Sequence, residues 1–348
     1  MSDGAASRPG GDVRLDGRRV LLVLATSTGG VGRHVRSLLL GLTQRGADVL
    51  VAGPASTQEA FAFPSYALVD IGSSPQPIRD AAAVLALRKL AARVDIVHAH
   101  GLRAAALAPS VTPLVSTWHN ALLTESRIGA LLERHAARRA TVTLAASDDL
   151  LRRALACGGR DVRLGPVAAP LRLPTGRDPG LGRPLVLAVG RLHPQKGYDV
   201  LVDALPHLGD VVVAVAGEGP LRPELERQAP RIRWLGSRDD VADLYAAADV
   251  VVLPSRWEAR SLTAQEAMLA GRPLVATDVG GTASLVRDGA VLVPPGDPVA
   301  LGTAVRRLLD DPAEAAALAA RATAVAASWP TEADTVAQVA ALYAELLP

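Results

Sequence analysis

Short apolar runs of four to six residues recur along the chain, separated by longer amphipathic stretches. Valine, leucine and alanine fill these runs, and polar residues or glycine bound them, which is typical of strands buried on both faces. The stretches between the runs repeat their apolar positions with a helical period. In the first half of the chain the predicted strands are residues 20–25, 48–53, 96–99, 114–117 and 142–145, and the predicted helices are residues 35–45, 77–93, 122–139 and 148–157.

The same alternation restarts after a stretch rich in proline and glycine, with predicted strands at residues 185–189, 211–216, 232–235, 250–253 and 274–277. Repeated strand and helix units predict parallel sheets, so the fold class is α/β with two Rossmann-like doubly wound domains. Ligands of such sheets bind at the carboxyl ends of the strands. The predicted organisation is a flexible tail at residues 1–18, an N-terminal domain at 19–165, a linker at 166–184, a C-terminal domain at 185–328 and a final helix at 329–348.

Length and composition agree with two α/β domains. A chain of 348 residues exceeds the usual size of one hydrophobic core. Aromatic residues make up only 3% of it, so alanine, valine and leucine must build the cores. The single cysteine, Cys157, excludes an internal disulfide, and no Cys or His spacing typical of zinc ligands occurs. The apolar run at residues 20–25 is too short for a signal peptide or a membrane span, so we expect a cytoplasmic protein.

Charge is distributed unevenly along the chain. Residues 1–175 contain 21 basic and 13 acidic residues, a net charge of 21 − 13 = +8. The remaining residues contain 16 basic and 22 acidic residues, a net charge of 16 − 22 = −6, and the two halves together give the net charge of +2. Arg127, Arg134 and Arg138 lie near one face of a predicted helix. The N-terminal half is therefore expected to face something anionic, such as the inner membrane surface or a phosphorylated acceptor. Solvated arginine-rich helices remain the alternative, and no feature indicates nucleic-acid binding.

Two cations follow the strand at residues 185–189. Arg191 comes directly after Gly190, and Lys196 precedes the next predicted helix. Cations at a strand's carboxyl end, next to the N–H groups of a helix N-terminus, suit a diphosphate. The chain has 35 arginines and only two lysines, so a general preference for lysine does not explain Lys196. The alternative is a solvated loop with two incidental cations.

Two carboxylates follow the strand at residues 250–253. Glu258 lies in the loop after this strand, and Glu266 falls in the first turns of a helix predicted to end at Gly271. Fixed carboxylates accept hydrogen bonds from sugar and ribose hydroxyls. In the alternative interpretation, Thr263 and Glu266 form a capping box and Glu258 is a surface charge.

A series of motifs follows one another in the C-terminal half: Gly190, Arg191, Lys196, Gly197, residues 217–220, Glu258, Glu266, Ala267, Met268, Gly280 and Gly281. Together these motifs resemble those of one enzyme family, the retaining glycosyltransferases of family 4. The resemblance implies the GT-B fold, in which two Rossmann-like domains face each other across a cleft. It implies that the N-terminal domain binds the acceptor, the C-terminal domain binds the donor, and the last helix returns to the N-terminal domain.

The resemblance also implies roles for residues of the C-terminal half. Arg191 and Lys196 would hold the donor diphosphate, and Glu258 would contact the donor sugar. Glu266 would bind the ribose, while Ser261 and Leu262 would offer backbone N–H groups to the phosphate. After Glu258 the chain departs from the family pattern with Ala259, Arg260 and Ser261, which leaves the donor sugar open.

In the N-terminal half, Gly29 and Gly30 let the backbone approach a ligand closely. We assign both to the acceptor side and Gly30 also to donor binding. A partial match to the dinucleotide fingerprint is disfavoured because Asp48 begins its strand rather than ending it. His119 follows the strand at residues 114–117 and matches the acceptor-side histidine of the family. We interpret His98 and His100 as structural.

The predicted reaction moves a hexose-type sugar, with retention, from a UDP or GDP donor to a hydroxyl of a glycan, lipid or small-molecule acceptor. His119, Arg191, Lys196 and Glu258 are the predicted catalytic residues. No Asp-x-Asp triplet occurs, so we expect no metal and no cofactor, with Arg191, Lys196 and a helix dipole stabilising the leaving diphosphate. A sugar-nucleotide-binding protein without transfer activity and a sugar-nucleotide epimerase are the alternatives.

Overall fold

The computed structural model describes residues 13–27, 29–110, 113–121 and 127–347. The chain divides into two compact units, one formed by residues 1–168 and 330–348 and the other by residues 169–329. Each unit contains one parallel β-sheet, of seven strands in the first unit and six in the second. The predicted fold class, two Rossmann-like α/β domains, is therefore confirmed. Among the described helices, none is both long enough and apolar enough to cross a membrane.

The sheet of the first unit has the strand order β3-β2-β1-β4-β5-β6-β7. Its strands are β1 (Arg19–Leu24), β2 (Asp48–Gly53), β3 (Tyr66–Leu68), β4 (Ile96–His100), β5 (Leu114–Trp118), β6 (Val142–Ala145) and β7 (Val162–Leu164). Its helices are α1 (Gly30–Gln44), α2 (Ala55–Phe61), α3 (Pro77–Ala91), α4 (Leu102–Leu107), α5 (Arg127–Arg139), α6 (Asp148–Ala156) and α14 (Glu332–Leu346). The five predicted strands are present, and the first five residues of the helix predicted at 122–139 lie outside the described residues.

The C-terminal helix α14 completes the core of the first unit. Val336 and Tyr343 are buried with residues of α1 and of the central strands. A Cβ atom on Gly41 of α1 would lie 2.6 Å from Val336, so the two helices pack closely because this position is glycine. Leu15 belongs to the same core, and its N–H group donates to Arg45 O at 2.8 Å. The packed part of the first unit thus begins before residue 18, where the predicted tail ends, because Leu15 has apolar neighbours to bury against.

The sheet of the second unit has the order β10-β9-β8-β11-β12-β13. Alternate residues of β8 face two separate cores, with Val186 and Ala188 in one and Leu185 and Leu187 in the other, so helices cover both faces. The strands are β8 (Leu185–Val189), β9 (Val212–Ala216), β10 (Arg233–Gly236), β11 (Val250–Leu253), β12 (Leu274–Thr277) and β13 (Val291–Val293). The helices are α7 (Tyr198–Leu208), α8 (Arg222–Gln228), α9 (Val241–Ala247), α10 (Leu262–Leu269), α11 (Thr282–Val286), α12 (Pro298–Asp310) and α13 (Pro312–Ala327).

The predicted linker, residues 166–184, forms no helix or strand. Part of it is held to the second unit by polar contacts. The hydroxyl of Thr175 and the N–H group of Gly176 donate to the Asp243 carboxylate at 2.8 and 3.0 Å. Ala169 N–H donates to Gln265 Oε1 at 3.1 Å. The division between the units falls after Ala168, so most of this segment belongs to the second unit.

In each sheet the strand order reverses once near the centre. The chain runs outward from β1 through β2 and β3 and then returns to place β4 on the other side of β1. In the second unit the chain likewise runs outward from β8 through β9 and β10 and then returns to place β11 on the other side of β8. Ligands of doubly wound sheets bind at this reversal, beyond the carboxyl ends of the two strands. The loops after β1, β4, β8 and β11 are therefore where functional side chains should be sought.

Candidate functional site

The loop after β8 carries both predicted diphosphate ligands. It forms a short 3-10 turn, Pro194–Lys196, and then passes through Gly197 in the left-handed conformation, with φ of 64°. A Cβ atom on Gly197 would lie 2.0 Å from Pro254 O, at the end of β11. Glycine at position 197 therefore lets the loop after β8 approach the loop after β11. Arg191 is exposed at the start of this loop.

Lys196 and Glu258 form an ion pair. The Lys196 Nζ to Glu258 Oε1 distance is 2.5 Å, and the two side chains are only 17% and 7% exposed. Ser255 Oγ donates to the same carboxylate oxygen at 2.7 Å. Lys196 is thus not a solvated loop lysine, and Glu258 is not a surface charge. Sequence reasoning did not find this pairing or Ser255, although a carboxylate buried in a loop must have partners of this kind.

Further contacts fix the backbone around Glu258. Gln195 Nε2 donates to Trp257 O at 2.9 Å, and Gly281 N–H donates to Glu258 O at 2.8 Å. A Cβ atom on Gly280 would lie 2.1 Å from the same carbonyl oxygen. The loops after β8, β11 and β12 therefore meet at the backbone of Glu258, and this arrangement preorganises its carboxylate.

Helix α10 begins one residue after Ser261. The Ser261 side chain accepts a hydrogen bond from Ala264 N–H at 3.3 Å, so Ser261 is the N-cap. Thr263 lies inside the helix and its hydroxyl donates to Val189 O, at the end of β8, at 3.1 Å. The alternative capping box of Thr263 and Glu266 is therefore wrong, because the hydroxyl of Thr263 is turned toward a strand. The helix ends at Leu269, two residues before the predicted end at Gly271.

Glu266 lies one turn into α10 and is half-buried. Tyr245 of α9 donates its hydroxyl hydrogen to Glu266 Oε2 at 3.1 Å. Burial, and secondly the Glu266 charge, raise the pKa of Tyr245 well above its usual value, so the phenol stays protonated as a donor. Sequence reasoning missed Tyr245, because a tyrosine on a short helix gives no sign of what its hydroxyl contacts. The N–H groups at the start of α10, including that of Leu262, have no intrahelical partner.

The tight approach at Gly197 gives a first prediction. Gly197→Ala should destabilise the second unit more than Gly176→Ala, measured as the free energy of unfolding in urea. Both glycines are left-handed, but a Cβ atom on Gly176 would meet nothing within 4 Å. Gly176→Ala should cost about 1–2 kcal/mol of backbone strain, and Gly197→Ala about 1–3 kcal/mol more for displacing Pro254 O. Equal losses in the two variants would contradict the tight approach.

Four histidines are buried together in the first unit. His34 lies on α1, His98 and His100 on β4, and His119 directly after β5. The distance from His100 Nδ1 to His119 Nε2 is 3.2 Å. His98 lies 2.7 Å from the Tyr343 hydroxyl through Nδ1 and 2.6 Å from Thr117 Oγ1 through Nε2. Both ring nitrogens of His98 thus join α14 and β5 to the central strand β4, as expected of a structural histidine.

Burial controls the charge of these histidines. It lowers the pKa of His34 to about 4 and, with the His34 charge, that of His98 to about 3. It also lowers the pKa values of His100 and His119 well below the usual range, with smaller contributions from neighbouring histidines. All four rings are therefore neutral at pH 7, and each keeps one nitrogen lone pair. A neutral His119 can accept a hydrogen bond from a hydroxyl group.

The glycine-rich segment after β1 opens helix α1. Gly29 is the N-cap and Gly30 the first helical residue, and both are partly exposed, while Thr28 lies outside the described residues. Gly32 has a packing role, because a Cβ atom there would lie 2.1 Å from the ring of Phe61. Gly29 and Gly30 remain available for close approach by a ligand, whereas Gly32 does not.

Comparison with known proteins covers both units. Residues 183–311 match the family Glycosyl transferases group 1, and residues 28–168 match Glycosyltransferase Family 4. Alpha-D-kanosaminyltransferase of Streptomyces kanamyceticus is 31% identical over 307 residues, which cover 74% of this chain and 78% of that protein. Glycogen synthase of Mycobacterium tuberculosis is 31% identical over 377 residues, covering 89% and 90%.

Solved structures agree with the fold. The crystal structure of HepE from Anabaena in complex with UDP and glucose has a TM-score of 0.81 at 22% identity, over 94% of this chain and 100% of that one. Sucrose-phosphate synthase from Thermosynechococcus elongatus has a TM-score of 0.76 at 22% identity, over 94% and 99%. Fold and relatives together define an enzyme of glycosyl transfer. The chain belongs to the glycosyltransferases with the GT-B fold.

Proposed function

We propose that this glycosyltransferase moves a hexose-type sugar from a UDP or GDP donor to an acceptor hydroxyl, with retention and without a metal on the diphosphate. The observation that carries the proposal is the buried pair of Lys196 and Glu258 at the strand-order reversal of the second unit, in the loops after β8 and β11. HepE of Anabaena, which shares the fold, was solved with UDP and glucose. A sugar nucleotide is the ligand whose groups these side chains suit.

The diphosphate would bind between Arg191, Lys196 and the N-terminus of α10. Within the described ranges the Arg191 side chain makes no hydrogen bond, so its guanidinium is available for two phosphate oxygens. The ammonium of Lys196 has three donors, of which Glu258 accepts one. Backbone N–H groups of Ser261 and Leu262 would complete the site. This positive environment would stabilise the charge that develops on the departing diphosphate.

The two carboxylates would bind the sugar and the ribose. Glu258 Oε1 accepts from Lys196 and Ser255, which leaves Oε2 without a donor among the described residues. We assign Oε2 to a hydroxyl of the donor sugar. Glu266 is oriented by Tyr245 and half-exposed, so its carboxylate is suited to the ribose hydroxyls. On the acceptor side the neutral His119 would accept from the attacking hydroxyl.

The remaining assignments concern the glycine-rich segment. Gly29 and Gly30 would approach the acceptor, and Gly30 also the donor, through exposed backbone at the start of α1. We assign the catalytic roles to the four residues that the motifs predict, His119, Arg191, Lys196 and Glu258.

A panel of sugar nucleotides tests the proposal. In a metal-free buffer with EDTA, one UDP- or GDP-sugar should raise the melting temperature, because a ligand at 100 times its Kd stabilises by about 2.7 kcal/mol. The same sugar nucleotide should be hydrolysed or consumed in transfer with EDTA present. Binding without turnover would favour a sugar-nucleotide-binding protein without transfer activity. Interconversion of donor sugars would favour a sugar-nucleotide epimerase. Turnover only after adding Mg²⁺ or Mn²⁺ would contradict the metal-free diphosphate site.

We also propose that the N-terminal unit contacts an anionic membrane surface through α5. Arg127, Leu131, Arg134 and Arg138 are exposed and lie on one face at spacings of four, three and four. Leu131 is 62% exposed and its neighbour Ile128 is 67% exposed. Large apolar side chains between exposed arginines are typical of helices that lie in a membrane interface.

Vesicle co-sedimentation gives a second prediction. The double variant Arg134→Glu with Arg138→Glu should bind vesicles containing anionic lipid at least about thirtyfold more weakly, since each basic residue lost near such a surface costs about 1 kcal/mol and each glutamate adds repulsion. Salt should weaken binding of the unaltered protein. A matched variant of α3, Arg88→Glu with Lys89→Glu, reverses two exposed charges of the same unit and should bind nearly as before. If the unaltered protein does not bind these vesicles at low salt, the membrane proposal is wrong and the arginines of α5 are solvated surface residues.

A further inference from the structure

Three of the buried histidines form a compact set of nitrogen atoms. His34, His100 and His119 each offer one ring nitrogen, and the three atoms lie within 4.8 Å of one another. The rings come from α1, β4 and the loop after β5, which meet at the strand-order reversal of the first unit. Their positions in the chain show no metal-ligand spacing, so the set exists only in the folded protein.

Hydrogen bonding does not satisfy all of these nitrogens. His100 Nδ1 and His119 Nε2 face each other at 3.2 Å. His100 Nε2 is buried and has no hydrogen-bond partner among the described residues. Burying such a group without a partner costs free energy unless something else satisfies it. A metal ion on the other nitrogen, Nδ1, would leave this atom as it is, so Nδ1 of His100 and Nε2 of His119 are the nitrogens placed to share an ion.

The spacing suits a tetrahedral metal ion. Zinc binds imidazole nitrogen at about 2.0–2.1 Å, so two ligands of a tetrahedral site lie about 3.3 Å apart. The separation between His100 and His119 already has this value, and small side-chain rotations would bring in His34. Imidazole favours zinc, copper and nickel over magnesium and calcium.

We propose that the first unit binds one transition-metal ion of the Zn²⁺ class through His34, His100 and His119, with a fourth position open to water. Three histidines with one open position is a known zinc arrangement. His98 stacks on His100 with ring centroids 4.2 Å apart and is itself fixed by Tyr343 and Thr117. The His98 ring therefore supports His100 in a fixed position, which limits the side-chain rearrangement that metal binding requires.

Occupancy would affect transfer if His119 has the role proposed above, and this consequence rests on the proposed function. A metal ion takes the lone pair that His119 would otherwise offer to the acceptor hydroxyl. Added Zn²⁺ should then inhibit transfer, and EDTA should restore it. The ion is thus an inhibitor bound in the first unit, distinct from a metal on the donor diphosphate.

Cobalt titration of the full-length, metal-free protein tests the site. One equivalent of Co²⁺ should give the visible absorption of a tetrahedral complex, and His34→Gln and His100→Gln should each weaken binding at least tenfold. The triple variant His135→Gln, His193→Gln and His207→Gln removes the exposed histidines and should bind as before. Absence of the band, or its loss in the triple variant alone, would overturn the proposal.

A second measurement avoids substitutions, in case a histidine variant does not fold. Zn²⁺ added to the unaltered protein should shift the ring-nitrogen resonances of His34, His100 and His119, while those of His193 stay in place. Shifts confined to exposed histidines would overturn the site. Metal binding without inhibition would leave the site standing and contradict the role of His119. If the protein transfers sugar but binds no metal, the metal site is overturned and the proposed role of His119 is unaffected.

Discussion

Lys196→Ala should destabilise the second unit by about 3–5 kcal/mol, because it leaves the Glu258 carboxylate buried without its cation. It should also weaken donor binding, because it removes a cation from the proposed diphosphate site. For a unit of this size, the loss of stability lowers the melting temperature by roughly 6–20 °C. The expectation follows from the 2.5 Å pair and from the 7% exposure of the Glu258 side chain. Thermal unfolding and the donor Kd should be measured on the same sample. Lys89→Ala, the change at the exposed second lysine, is the matched control and should alter neither.

A second variant separates folding from function. Adding Glu258→Gln to Lys196→Ala removes the unpaired charge, so most of the lost stability should return while donor binding stays weak. A double-mutant cycle over the four proteins gives the coupling between the two residues. If Lys196→Ala leaves the melting temperature unchanged, the ion pair does not exist in solution. If donor affinity also stays unchanged, Lys196 is not a diphosphate ligand.

Glu266→Gln should lower donor affinity by about ten- to a hundredfold with almost no change in melting temperature. The amide oxygen of glutamine can still accept from the Tyr245 hydroxyl, so this contact between α9 and α10 is kept. What is lost is a charge-assisted hydrogen bond to the ribose, worth about 1.5–3 kcal/mol. The measurements are donor Kd by calorimetry and unfolding by heat. A drop in melting temperature with unaltered donor binding would rule out the ribose role.

Tyr245→Phe is the companion to this variant. It removes the hydroxyl that orients Glu266 and leaves the carboxylate in place, so donor affinity should fall less than in Glu266→Gln. A deoxyribose donor should discriminate further. The unaltered protein should prefer the ribose donor, and Glu266→Gln should lose most of that preference. A preference that survives in Glu266→Gln would mean that another residue binds the ribose.

The central strands could be predicted from the sequence because each is a short, mostly apolar and buried run. Three of the four edge strands, β3, β7 and β13, could not, since each has three residues and is only partly buried. A strand with one unpaired edge and few buried side chains leaves a weak hydrophobic pattern. The order of elements was therefore predictable, and the width of each sheet was not.

The candidate site, too, could be predicted from the sequence only in part. Lys196 could be singled out because lysine is rare in this chain, but its partner Glu258 lies 62 positions away and no spacing rule connects them. The capping interpretation of Thr263 failed because the sequence contains two candidate hydroxyls, and Ser261 is the one that caps. Histidines at positions 34, 100 and 119 come together only through the strand order. Local chemistry was predictable, while contacts between distant loops required the fold.

The return of α14 to the first unit affects how the protein can be synthesised. Tyr343 is fully buried there and its hydroxyl lies 2.7 Å from His98 Nδ1 on β4, so the first core is incomplete until α14 has left the ribosome. The interval between residues 168 and 330 is 330 − 168 = 162 residues, or roughly 8–30 s at 5–20 residues per second. During that time the groove for α14 exposes apolar surface, while the second unit is already fully translated before α14 emerges. The first unit is therefore expected to depend on a chaperone during synthesis. A truncation that removes α14 should destabilise the first unit, although most of that unit lies at the other end of the sequence.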